Sequence, residues 1–198
     1  MYMPMMYNIT NKKILIVGGG KIALQKLNVL LDFDCQIILI APDLHEQIDT
    51  FKDKIKLINR SYQSDDLNDV DIVICATNDK ATNYLIYQEA KAKNLLVNVV
   101  DYPALCDFIF SCYIKKGDLT ITINSSGSSP TVCQLMKKEI LPLIDHDIDV
   151  KLKLLKAIRN KILNSSIEPQ RRKKFLQEIA SLSIPELRTI IENHKIIQ

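Results

Sequence analysis

The chain has 198 residues, room for one substantial domain and a smaller appendage. With 47% apolar and 25% charged residues it is an ordinary globular composition, and a net charge of +3 is too slight to argue for a nucleic-acid partner. No apolar run of about 18 residues is present, so no segment is expected to cross a membrane.

The opening, Met1 to Met6, lacks the charged region and cleavage site of a secretory leader, and a cytoplasmic protein is expected. The cysteines, Cys35, Cys75, Cys106, Cys112 and Cys133, are odd in number, scattered, and never spaced as C-x-x-C. They read as free thiols in a reducing compartment. His45, His146 and His194 are not spaced with them as ligands would be, so no metal site is expected.

In chain order, an apolar strand at 13–17 runs directly into Gly18-Gly19-Gly20, and Ile22, Ala23, Leu27, Leu30 and Leu31 follow at helical spacing. Strand, glycine turn and helix in that order suit a dinucleotide. Gly18 permits the sharp turn, Gly20 lets a pyrophosphate approach the backbone, and small Ala23 lets the helix pack on the strand. The helix start then offers N–H groups and a positive dipole end to an anion. Further short apolar runs at 36–40, 55–58, 71–76 and 95–100 lack alternation, as strands buried on both faces do, and 82–93 reads as a helix between the last two. The expected fold is α/β, a doubly wound parallel sheet with its ligands beyond the C-terminal strand ends.

Past residue 107 the pattern changes. Residues 119–124 alternate with period two, as a half-exposed strand does, after the turn residues Gly117 and Asp118. Ser125-Ser126-Gly127-Ser128 leads to Ser129, placed as an N-cap, and Pro130 opens a helix over 131–144. Helices are expected at 150–163, 169–182 and 184–194. The basic run Arg171 to Lys174 reads as a solvated face or as a basic rim for an acidic ligand.

Several strand ends carry candidate chemistry. The second ends in Pro42-Asp43, where Asp43 is the nearby acid able to bind a ribose, and no Lys or Arg follows to favour a 2′-phosphate, which leans to NAD. The fourth ends in Thr77 and Asn78, small polar residues that suit a nicotinamide ribose or a plain turn and cap. The fifth ends in Asp101, which either handles a proton and fixes a substrate nitrogen or caps the Tyr102-Pro103 turn. The serine loop has no G-x-S-x-G elbow and no histidine close in sequence. It suits carboxylate or phosphate binding better than nucleophilic catalysis.

Val17 to Lys26, Ala41-Pro42, Ala76 to Asp79, Asn98 to Phe108, Gly117 to Leu119 and Ser125 to Pro130 together resemble the precorrin-2 dehydrogenase family of siroheme biosynthesis, over about residues 5 to 145. The resemblance implies a Rossmann-like NAD-binding domain over 1–113, a small α+β dimerisation and substrate-binding region over 114–145, and a helical domain over 146–198. It implies NAD-dependent oxidation of precorrin-2 to sirohydrochlorin. The family's essential aspartate falls on Asp101, and NAD contacts fall on Lys21, Ile22, Pro42 and Asp43. Together with Gly18, Gly20, Ala23, Thr77 and Asn78 these form the expected cofactor set. Ser125, a phosphorylatable position in some relatives, would line the substrate pocket with Ser126, Gly127 and Ser128. A homodimer is implied, with the strand at 119–124 offering an edge for pairing. Some members also insert ferrous iron, for which Asp101 or His146 could serve as the base; a catalytically silent NAD sensor is the remaining alternative. The uroporphyrinogen methyltransferase fused in some relatives is not expected here. Asn124 and Phe110-Ser111 depart from the family pattern.

Overall fold

Five short runs rich in β-branched residues and leucine pair in parallel to build the sheet of the first half of the chain. In this computed structural model, which describes residues 2–165 and 167–192, they are β1 (Lys13–Val17), β2 (Gln36–Ile40), β3 (Lys56–Ile58), β4 (Ile72–Cys75) and β5 (Leu96–Val99). Their order is β3-β2-β1-β4-β5, with Val17 opposite both Ile40 and Cys75. Strand order reverses beside β1, which opens a crevice at the C-terminal ends of β1 and β4.

The lack of alternation has a direct cause: both faces are covered. Ile14, Ile16, Ile72 and Ile74 pack under α1 (Lys21–Leu30) through Ala23, Leu24, Leu27 and Leu30. Leu15, Val17, Val73, Cys75, Val97 and Val99 pack under α2 (Lys80–Ala92) through Ile86 and Ala90. Each fully buried large side chain stabilises the unit by roughly 1.5–3 kcal/mol. Burial also pushes the Cys75 thiol up to about 12, so it stays protonated and inert. The connections flanking β3 carry short 3-10 turns, Asp49–Phe51 and Ser64–Leu67. Beyond β5 the chain doubles back along that strand. Asp107 donates its N–H to the Val97 carbonyl at 2.9 Å and accepts the Val97 N–H at 2.9 Å, while Asn98 Nδ2 donates to the Phe108 carbonyl at 2.9 Å. The β5 edge of the sheet is thereby covered.

Two compact units result, Met1–Phe110 and Ser111–Gln198. The second begins with a strand that periodicity did not anticipate, β6 (Cys112–Lys116), antiparallel to β7 (Leu119–Ile123). β6 therefore occupies one of the two edges of β7. Asp149 lies so close over the hairpin turn that a side chain at Gly117 would overlap its carboxylate. α3 (Pro130–Ile140) stops short of the expected 144, because Pro142 has no N–H to continue it and a 3-10 turn over Leu141–Leu143 follows. α4 (Ile148–Leu163), α5 (Pro169–Ala180) and α6 (Ile184–Glu192) bury Ile158, Ile162, Ile179 and Leu187 together. Arg171, Lys173 and Lys174 are exposed, as a solvated face and a basic rim both require. The end of the helix expected over 184–194, and His194, lie outside the described residues. No described helix is long and apolar enough to cross a membrane.

Candidate functional site

The turn after β1 is set by steric limits. Gly18 adopts φ +122 and donates its N–H to the Ile40 carbonyl at 2.9 Å; a Cβ there would stand 2.2 Å from the Ala76 carbonyl oxygen. A Cβ on Gly19 would stand 2.1 Å from the Asp43 carbonyl oxygen, and His45 donates its N–H to the Gly19 carbonyl at 2.7 Å. Gly20 differs from both: beyond its neighbours in the chain, a Cβ there would meet no atom of the described residues within 4 Å. Gly20 is the N-cap of α1, gives no side-chain cap, and the first turn carries no acid. The N–H groups of Lys21 and Ile22 find no partner among the described residues, so the helix start faces an open cradle. These residues fit an anionic group: free donors, a positive dipole end and space where a side chain would stand. Lys21 and Ile22 are exposed at the rim, and Ala23 is fully buried where α1 meets the sheet.

Around this turn the other strand ends gather. Pro42 and Asp43 are exposed beyond β2, and the Asp43 backbone abuts Gly19. The Ala76-Thr77 backbone abuts Gly18. The Thr77 hydroxyl donates to Asn83 Oδ1 at 2.8 Å, and Asn83 Nδ2 donates back to the Thr77 carbonyl at 3.0 Å. Thr77 is thus held by a 5%-exposed asparagine that sequence reasoning passed over, and Asn78 is left exposed. Asp79 caps α2, accepting the N–H groups of Ala81 and Thr82 at 3.1 and 3.0 Å. The Thr82 hydroxyl and these N–H groups hold its carboxyl below the usual range. Spacing along α2 signals Asn83: it stands at i, i+3 and i+7 with the buried Ile86 and Ala90.

Asp101 follows β5 in the left-handed conformation, φ +63, and is exposed. The turn closes without its side chain, because the Tyr102 N–H bonds the Val99 carbonyl at 3.2 Å and the next 3-10 turn has no side-chain cap. The carboxylate accepts no hydrogen bond among the described residues. Beside it a cleft of about 170 Å³ is lined by Lys80, Asn83, Tyr84, Val99, Tyr102 and Leu105. A larger cavity, about 650 Å³, opens at the opposite, N-terminal ends of β1, β2 and β3 and includes no part of the glycine turn.

In the second unit the serine loop is organised by its own hydroxyls. Ser125 Oγ accepts the Ser129 N–H at 3.0 Å, and the Ser125 carbonyl accepts the Ser128 N–H at 3.0 Å. Ser126 and Gly127 take positive φ, 54 and 85, and Ser126, Gly127 and Ser128 are exposed. Ser129 caps α3 through the Val132 N–H at 3.3 Å, as its place before Pro130 predicts. Asn124 anchors the loop, accepting the Ser126 N–H at 2.6 Å and donating to Ser111 Oγ at 3.1 Å. Among the described residues no three His, Cys, Asp or Glu side chains group as metal ligands.

Residues 5–112 match a family model described as "Putative NAD(P)-binding". The chain is 32% identical over 180 residues to a siroheme synthase of Blochmanniella pennsylvanica (strain BPEN), covering 90% of this chain and 38% of that protein. It is 29% identical over 185 residues to a siroheme synthase of Ectopseudomonas mendocina (strain ymp), covering 93% and 40%. The chain thus spans about 40% of the length of the curated relatives it matches. A solved structure titled SirC, precorrin-2 dehydrogenase, shares the fold at a TM-score of 0.76 and 24% identity, covering 98% of both chains. The matched residues hold the glycine turn and all five parallel strands, and the chain belongs to the NAD(P)-binding family.

Proposed function

We propose that the protein oxidises precorrin-2 to sirohydrochlorin with NAD, in the cytoplasm. The observation that carries the reading is the uncapped start of α1 over an open cradle at Gly20, at the same end of the sheet as Asp101, whose carboxylate no turn engages. The names of the siroheme synthase relatives and of the solved precorrin-2 dehydrogenase support the substrate. Gly18, Gly20 and the N–H groups of Lys21 and Ile22 would hold the pyrophosphate, with Ala23 seating the helix. Pro42 and Asp43 would border the adenosine ribose, and no Lys or Arg directly follows β2 to invite a 2′-phosphate. Thr77 and Asn78 would border the nicotinamide ribose. When bound, NAD supplies the acceptor for the hydride that leaves precorrin-2. Asp101 takes the accompanying proton on its carboxylate and returns it to water, so two electrons and two hydrogens leave the substrate. Ser125, Ser126 and Ser128 would offer their hydroxyls, and Gly127 its N–H, to the substrate's carboxylates.

We also infer a homodimer formed through the second unit. Val132, Leu135 and Met136 stand at i, i+3 and i+4 on α3 and are 49%, 53% and 44% exposed, a stripe apolar enough to seek a second copy.

The test is anaerobic incubation of the protein with precorrin-2 and NAD, following NADH and the sirohydrochlorin spectrum. Turnover is expected. Binding of NAD without turnover would make the protein a sensor and overturn the reading.

A further inference from the structure

Lys26 is a half-buried cation that makes no ion pair among the described residues. It lies on the flank of α1 one turn beyond Ile22, and its Nζ stands 4.4 Å from the centroid of the Phe110 ring. Among the described residues no carboxylate lies within ion-pair distance of it, whereas Lys12, Arg60, Lys91, Lys153 and Lys156 each have one. Helical side chains lean toward the helix N-terminus. From position 26 that direction carries the ammonium back toward the first turn of α1, where the glycine cradle opens. Val100 and Phe110 pack on the same face of the sheet as α1, which brings the chain around Asp101 to the same flank.

We propose that Lys26 is a binding residue of the active site that takes a carboxylate of the substrate. The inference deepens the function proposed above and rests on it. An ammonium partly removed from water without a carboxylate in direct contact is costly, and an incoming carboxylate relieves that cost. The Phe110 ring face keeps the cation in place meanwhile. Burial lowers the Lys26 pKa below the ordinary lysine range, against smaller raising effects from Cys106 and Asp101, the titratable groups that act on it. Cys106 is itself kept protonated, its thiol raised by burial. The nearby Asp107 is paired with Lys91, and Lys80 lies 5.7 Å from the Tyr102 ring centroid.

The experiment compares wild type, Lys26→Met and Lys26→Arg for KM toward precorrin-2, kcat, and the dissociation constant for NAD by calorimetry. Methionine keeps the buried stem, and a thermal melt reports folding. For Lys26→Met, KM is expected to rise roughly ten- to hundredfold, the loss of one hydrogen-bonded charge, with NAD binding unchanged. Because Lys26 loses its proton as pH rises, wild-type affinity should fall on the alkaline side earlier than an ordinary lysine would dictate. Arginine, which stays charged, should restore KM and abolish that fall. An unchanged KM in Lys26→Met, or weakened NAD binding in its place, would overturn the assignment while leaving the dehydrogenase reading intact. Absence of wild-type turnover would end both.

Discussion

Gly19 and Gly20 are consecutive residues under opposite constraints. At Gly19 an added methyl meets the Asp43 carbonyl oxygen at 2.1 Å and the Ala41 Cβ at 2.8 Å, so Gly19→Ala forces the backbone apart. A loss of about 1–3 kcal/mol of stability is expected in a denaturant melt. At Gly20 the same methyl meets nothing. Gly20→Ala should melt within about 0.5 kcal/mol of wild type yet weaken NAD binding roughly tenfold or more, since the methyl occupies the space where a phosphate would approach the N–H groups. Equal loss of stability in both variants would deny that the Gly20 cradle is kept open for a ligand. Asp101 permits a similar separation. Asparagine tolerates the left-handed backbone that Asp101 adopts and has nearly its shape, but takes no proton. Asp101→Asn should keep its melting temperature and lose about 10²–10⁴ in kcat. Near-normal turnover would reduce Asp101 to a turn residue.

At the level of elements, the starts of three helices are satisfied in different ways. α2 is closed by Asp79 and α3 by Ser129, whereas α1 has neither cap nor first-turn acid. Ser129→Ala should therefore cost about 1 kcal/mol, read as a lower melting temperature, while no equivalent cap can be removed from α1. What was legible in the sequence follows the same local logic. The strands at 13–17 and 36–40 coincide with β1 and β2 because burial on both faces writes a continuous apolar run. Ser129 was legible because a cap and a following proline act within four residues. β6 was not, because Cys112-Tyr113-Ile114-Lys115-Lys116 has one buried position, Ile114, and becomes a strand through its pairing with Ile121. The steric demand on Gly19 was hidden too, since it comes from a carbonyl 24 positions along the chain, at Asp43. Asn124 looked like a departure from a family pattern and proves to organise the serine loop.

For the molecule as a whole, acid is the condition that tests how the first unit is held together. Three carboxylates there lie below the usual range: Asp66 under the Arg60 fork, Asp71 beside Lys12, and Asp79 under Thr82. They tie the turn before β4 to the chain after β3, the start of β4 to the start of β1, and the start of α2 to its own first turn. A carboxylate whose folded pKa is depressed binds protons more tightly in the unfolded chain. Its contribution is fully present above the unfolded value of about 3.9 and is lost as pH falls through the folded value. The melting temperature should therefore be level near neutrality and fall steadily below about pH 5. Salt separates the contributors. The Asp66 side chain is 8% exposed and takes both nitrogens of Arg60 at 2.7 and 2.6 Å, so its share resists added salt. Lys12 and Asp71 are 39% and 34% exposed, and theirs is screened. Asp66→Asn should lower the melting temperature at neutral pH and flatten its acid slope in high salt, where Asp66 dominates what remains. An unchanged slope in that variant would move the acid sensitivity to the other carboxylates.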